Sequence, residues 1–325
     1  MSLLPQIPVI DAGENWCLET LKQETERAHT LIGGASKRYP ELLLKFGDRR
    51  SRNWLLKNNN PYLEEIDQVS DYMGRSGAHF LNVSYEWGCT SKAAPDPQCK
   101  SSRLIRVLDW PDKGLGSQII ALRIPNPHGE WISLTWPGYS GVLQAVAKGR
   151  FAIGLNQAPM ESTTGIFLVD WLINRHRVWH NNFLPPSHLL RFVFENARNY
   201  EEAKHILTVT PVATSAIFII SGLTPDEACV IERRPEQSHI LEGPNAAANS
   251  WQKLEWTGNS RGEDNENRAS MMDKQLCCLE QDFSWLQAPV LNERTRLALI
   301  ADASTGEIMA QGFEADGPAT EILRL

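Results

Sequence analysis

The sequence predicts an α+β fold of stacked layers, built largely from antiparallel strands, and three observations carry that prediction. Helix-like and strand-like segments come in separate runs, which favours sheets covered by segregated helices over alternating βαβ units. The strand-like segments are short and separated by PDKG, PNPHG and PGYS, the punctuation of antiparallel meanders. Of 325 residues, 42% are hydrophobic and 22% charged, an ordinary globular balance that argues against long disorder and low-complexity arrays.

A prior of roughly 150 residues per domain puts the chain at about two domains. From about Glu14 to Met73 it reads as helix, with apolar Trp16, Leu18, Leu21 and Leu31 among good helix formers. Pro61 opens a helix whose face carries Tyr62, Ile66, Val69 and Tyr72 and which stops at Gly74. HFLNVSYEW (79–87) alternates and is expected as a strand ending at Gly88-Cys89. Strands follow at RLIRVLDW (103–110), SQIIALRI (117–124), EWISLTW (130–136) and GVLQAVAKGRFAIGLN (141–156). Helices return over 165–209, then strands at TSAIFIISG (214–222) and EACVIERR (227–234). TGNSRGEDNEN (257–267) reads as a surface loop, NENRASMMDKQLCCLEQ (265–281) as a helix, and 294–315 as a closing hairpin around ASTG.

A net charge of −7 advertises no field for nucleic acid or anionic lipid. No run of ~18 apolar residues is present to cross a membrane. The first residues lack the basic start and apolar stretch of a secretory signal, so a reduced cytoplasmic setting is expected, in which the sequon Asn82-Val83-Ser84 means nothing. The six cysteines form no CxxC pair, and Cys277-Cys278 is expected as two buried or half-buried thiols on a helix. His176 and His180 have i, i+4 spacing but no HExxH glutamate, and arginines flank them; no metal and no cofactor are expected.

The informative segment is WGCTS (87–91). A thiol that follows glycine can attack the Gly88 carbonyl, because no side chain obstructs it and glycine tolerates a strained turn. Cleavage there would leave Cys89 with a free α-amine of pKa ~7.7–8, so one residue would hold both nucleophile and general base. Arg106 and Asp109, on a strand that could fold back beside Cys89, are placed to favour the thiolate and to orient the amine. Trp110, next to Asp109, is a candidate wall for an apolar substrate group, or a packed core residue.

GCTS, RVLDW, WPGYSGVL (136–143), FAIGLN (151–156) and the stretch 196–234 occur in an order that resembles the N-terminal-nucleophile amidases. The group is that of acid ceramidase, N-acylethanolamine acid amidase and isopenicillin N acyltransferase, with choloylglycine hydrolases more distant. The resemblance implies a four-layer αββα sandwich of antiparallel sheets: residues 1–88 as a helical pro-segment, kept as a tightly bound small chain, and 89–325 as the catalytic core. It implies autocleavage between Gly88 and Cys89, with Cys89, Arg106 and Asp109 as nucleophile and partners. Asn156 would stand near the oxyanion, Asn249 would donate to it with Asn245 competing for that role, and Arg268 would be a second site arginine. The implied reaction is hydrolysis of linear N-acyl amides with an apolar acyl group. Acyl transfer to an amine, or an uncleaved binding protein without turnover, remain alternatives. KAAPDPQCK after CTS departs from the family's apolar strand, and Pro95 and Pro97 require that strand to turn early.

Overall fold

The computed structural model describes residues 4–13, 15–38, 40–83 and 87–325; Glu14, Ser84 of the sequon and 84–86 of the expected strand lie outside them. The chain opens with β1 (Val9–Asp11) and the helices α1 (Trp16–Gln23), α2 (Thr25–Arg38), α3 (Glu41–Lys57), α4 (Leu63–Met73) and α5 (Ala78–Asn82). Strands β2 (Gly88–Pro95), β3 (Ser102–Asp109), β4 (Ile120–Ile124), β5 (Trp131–Thr135), β6 (Gln144–Ala147) and β7 (Phe151–Gln157) follow. Helices α6 (Phe167–His180), α7 (Pro186–Asn196) and α8 (Tyr200–Val209) precede β8 (Ala216–Ser221), β9 (Ala228–Arg234), β10 (Gln237–Glu242) and β11 (Asn245–Ala247). The chain ends with α9 (Asn265–Asp273), β12 (Thr295–Asp302), β13 (Ile308–Glu314), β14 (Gly317–Pro318) and β15 (Leu323–Arg324).

Two sheets result. One runs β1-β4-β5-β6-β7-β8-β9-β10; the other runs β11-β2-β3-β12-β13-β14, with β15 also on β13. Neighbours pair antiparallel except β1 with β4. The sheets face each other where β2 and β3 meet β7 and β8. Strand alternation sorts β3 between two cores: Leu104 and Leu108 face the space between the sheets, Ile105 and Val107 the outer cluster with Met272 and Phe283. Helices α7 and α8 cover the first sheet and α9 the second, which completes an αββα order whose last layer is thin.

The structure departs from the sequence reading at four places. The expected strand at 79–87 begins as helix α5, because the Asp48 carboxylate accepts the N–H groups of Gly77 (2.5 Å) and Phe80 (2.9 Å) and so caps it. The segment before Cys89 is not helical alone: β1 adds an edge strand to the larger sheet. The helix expected over 265–281 ends at Asp273, where Lys92 Nζ takes the carbonyls of Asp273 and Gln275 (3.1 Å to the latter) and pulls the chain onto β2. Cys277 and Cys278 therefore lie in irregular chain, one buried and one half-buried. Finally, Gly88-Cys89, expected at a strand's end, instead opens β2. The 257–267 segment is largely exposed, as expected of a surface loop, and ties back to the site described next.

The N-terminal segment is held by a buried polar seam. Arg191 of α7 donates to Glu65 (2.6 and 3.1 Å), to the Ser140 carbonyl (2.9 Å) and to Glu195 (2.7 Å), beneath the rings of Trp16 and Tyr62. Asn60 and Asn82 reach the His188–Ser140 pair across the same boundary. No helix among the described residues is long and apolar enough to cross a membrane.

Candidate active site

Cys89 is fully buried at the start of β2, opposite Leu108 of β3, with Ser91 opposite Arg106. The hairpin registers because β2 stops at Pro95 and the Asp96 carboxylate closes the turn on the N–H groups of Lys100 (2.6 Å) and Ser101 (3.2 Å). The prolines thus sit at the strand's end, where no ladder bond is lost.

Arg106 points into the space between the sheets. Its Nη2 donates to Cys89 Sγ (3.0 Å), its Nε to Gln144 Oε1 (2.9 Å) and its Nη1 to Asn156 Oδ1 (2.7 Å). Ser91 Oγ donates to the same Asn156 oxygen (2.7 Å), and Asn156 Nδ2 donates to the carbonyls of Ala247 (3.0 Å) and Ala248 (3.2 Å). Gly154 of β7 makes this possible: a Cβ there would stand 3.1 Å from Arg106 Cδ and 3.2 Å from Nη1. A fully buried guanidinium whose hydrogen-bond acceptors are a thiol and neutral oxygens favours an anion at the sulfur. Burial works against it and pushes the Cys89 thiol up to about 11, with Arg106 pulling it down.

A second group meets Cys89 from the rim. Asn249 Oδ1 accepts the Cys89 backbone N–H (2.8 Å), and Asn249 Nδ2 donates to the Gln157 carbonyl (2.7 Å). Asp109, at the end of β3 opposite Gly88, accepts from Arg268 Nη2 (2.5 Å) and Thr295 Oγ1 (3.0 Å). Burial pushes its carboxyl up, against the pull of Arg268. Helix α9 carries Arg268 inward, 3% exposed. Asn245 lies in β11 opposite Ala93, so Asn249 rather than Asn245 reaches Cys89. Gly88 is ordinary extended strand, not a strained turn, and a Cβ there would meet Asn249 Oδ1 and Asp109 Cβ only at 3.5 Å.

Trp110 stacks on Trp87 (ring centroids 5.1 Å apart) and meets Trp136 edge-on (5.7 Å). Trp110 and Trp136 line an apolar cavity of about 120 Å³, shared with Leu21, Val69, Met73 and Leu81 of the N-terminal helices. The structure thus brings Cys89, Arg106, Asp109, Asn156, Asn249 and Arg268 together, with Gly88 and Trp110 beside them. Sequence reasoning missed Ser91, Gln144, Gly154, Thr295, Asn265 and Gly262. Ser91 had a signal, two residues from Cys89 on one strand face; the others are neighbours only in the fold. His176 and His180 stack at 3.9 Å on α6, where the His180 ring nitrogen pairs with the His176 carbonyl (2.7 Å).

No family model matches the chain. It is 27% identical to acid ceramidase of Homo sapiens over 183 residues, 53% of this chain and 45% of that protein. It is 36% identical to acid ceramidase of Balaenoptera acutorostrata scammoni over 103 residues, 31% and 24% of the two chains. The solved Caenorhabditis elegans N-acylethanolamine-hydrolyzing acid amidase ortholog superposes with a TM-score of 0.50 at 19% identity, covering 73% of this chain and 100% of that one. The chain is thus similar in sequence to acid ceramidases over about half its length, and similar in fold to the amidase ortholog. Its ceramidase-like match spans under half the length of those curated relatives, 45% in the human case.

Proposed function

We propose that the protein is an amidohydrolase that exposes Cys89 as an N-terminal nucleophile and cleaves linear N-acyl amides with an apolar acyl group. The observation that carries this reading is the double hold on Cys89: its sulfur 3.0 Å from Arg106 Nη2 and its backbone nitrogen 2.8 Å from Asn249 Oδ1. That nitrogen is the one a cut at Gly88-Cys89 would turn into an amine, already held by an acceptor.

In the first step the Cys89 thiol adds to the Gly88 carbonyl. The peptide C–N bond breaks, the Cys89 nitrogen leaves as an amine with the thiol proton, and water then hydrolyses the thioester to a Gly88 carboxylate and a free thiol. On a substrate, the α-amine takes the thiol proton while sulfur attacks the amide carbonyl. The second N–H of Asn249 Nδ2 serves the tetrahedral oxyanion, with a backbone N–H beside it, and such a donor is worth ~3–4 kcal/mol. The α-ammonium returns its proton to the leaving amine, and water, deprotonated by the same amine, releases the acid. Arg106 favours the thiolate; Asp109 orients the amine.

The cavity behind Trp110 supports an apolar acyl group, and its walls draw on both sides of residue 88, so residues 1–88 stay bound as the small chain. A cytoplasmic setting belongs to this reading too, supported by six unpaired thiols. Intact-mass measurement tests it: the expected result is two species, residues 1–88 and 89–325, with Cys89→Ala whole. A wild-type chain that stays single and leaves N-acyl amides of every length uncleaved would overturn it.

A further inference from the structure

The segment expected as a polar surface loop packs its backbone onto the rim of the site. It is pinned at one end by paired hydrogen bonds between Met160 and Asn259 (2.9 and 2.7 Å), three residues past the Gln157 carbonyl that holds Asn249. At the other end Asn265, 9% exposed in the first turn of α9, accepts the Asn249 N–H on Oδ1 (3.1 Å) and donates to the Arg261 carbonyl (3.0 Å). Between these pins Gly262 adopts φ +71°, and a Cβ there would stand 2.8 Å from Arg268 Nη1 and 3.3 Å from Asn249 Oδ1. The first distance is shorter than carbon beside a guanidinium tolerates. Arg268 would have to swing, and its Nη2 is the group that holds Asp109.

We infer that Gly262 is a positioning residue: its missing side chain sets where Arg268 and Asn249 stand, and so how Asp109 and Cys89 are held. The inference rests on the proposed amidase chemistry. A side chain at 262 leaves the Arg106 side of Cys89 and the Trp110 cavity untouched, so it slows bond cleavage without weakening substrate binding.

Two substitutions separate crowding from backbone strain. Gly262→Ala adds both; Gly262→Asn adds the same Cβ but tolerates positive φ. The readouts are the rate of Gly88-Cys89 cleavage by intact mass, and kcat and KM on the 7-amino-4-methylcoumarin amide of dodecanoic acid, with Tm alongside. Both variants are expected to lose tenfold or more in cleavage rate and kcat, with KM within about twofold. In an Arg268→Lys background Gly262→Asn is expected to cost nearly nothing further, because the crowded Nη1 is gone, while Gly262→Ala keeps only the part of its loss that comes from backbone strain. Wild-type kcat in Gly262→Asn, an undiminished loss in the Arg268→Lys background, or failure of both variants to fold would overturn the inference. A wild-type chain that neither cleaves itself nor turns over the probe would instead sink the amidase reading.

Discussion

Cys89 is held by two unlike half-sites. The inner half, Arg106 with Gln144, Asn156 and Ser91, is built from strands of both sheets, and its one cation bonds a thiol and neutral oxygens. The rim half, Asp109 with Arg268, Asn249 and Asn265, rides on strand ends, a loop and α9, and its cation is neutralised by a buried carboxylate. The difference separates roles. The inner guanidinium has charge to spare for the sulfur, whereas the rim pair spends its charge on itself and contributes position.

The largest effect is expected where the halves meet. Cys89→Ala should abolish self-cleavage and amide turnover together, since the proposed mechanism runs both through the same sulfur. If either activity survives, another nucleophile is present and the comparison loses its object.

The sharpest contrast comes from removing each guanidinium with a side chain of similar length. Arg106→Met should lower turnover on the order of 10²-fold or more, as for loss of an aimed charge at the reacting atom. Its stability should change by less than about 2 kcal/mol, because the lost Gln144 hydrogen bond is offset by relief of burying a cation without a carboxylate. Arg268→Met should reverse the pattern: a smaller loss of turnover, but about 3–5 kcal/mol of stability, since it strands a buried carboxylate. Kinetics paired with denaturant unfolding would decide, and equal stability losses would erase the distinction.

Asp109→Asn tests the rim more gently. Asparagine can still accept from Arg268 on Oδ1 while its Nδ2 donates to the Thr295 hydroxyl, so the fold should hold while turnover drops by roughly 10²-fold for want of a carboxylate to orient the amine. Undiminished activity in a folded Asp109→Asn protein would remove Asp109 from the chemistry and reduce the rim to a scaffold.

The two halves were also unequally legible in the sequence. Arg106 and Asn156 stand on strands whose alternation and turns are plain in the residues, so their place on those strands was visible before their contacts were; Cys89, expected at a strand's end, instead opens β2. The layered α+β order was legible for the same reason, as was the closing hairpin. Arg268 came only from the family resemblance, because its burial depends on α9 turning inward, which nothing local encodes. Gly262 and Asn265 were hidden in a polar run whose packing is set by contacts with Met160 and Asn249, about 100 and 15 residues away in the chain. The strand misread at 79–87 has the same cause: the cap that makes α5 comes from Asp48, on another helix. Period-two patterns report strands; they do not report partners distant in sequence.

The last prediction asks which half sets the pH dependence of self-cleavage. Burial pushes the Cys89 thiol up to about 11 in the uncleaved chain, so the neutral thiol dominates through the physiological range and the thiolate grows as pH rises. If the thiolate is the attacking species, its fraction increases about tenfold per pH unit well below that value. The cleavage rate, followed by intact mass on freshly folded protein from pH 6 to 9, should therefore climb by nearly that factor per unit. Arg106→Met should keep the slope and displace the line downward, since removing the nearby cation raises the thiol further. Acidification acts on the rim instead, because burial holds the Asp109 carboxyl above its usual range and its charge is lost early as pH falls. A profile that is flat from pH 6 to 9 and breaks only on the acid side would hand control to Asp109 and Arg268, and with it the leading role assigned above to the inner half.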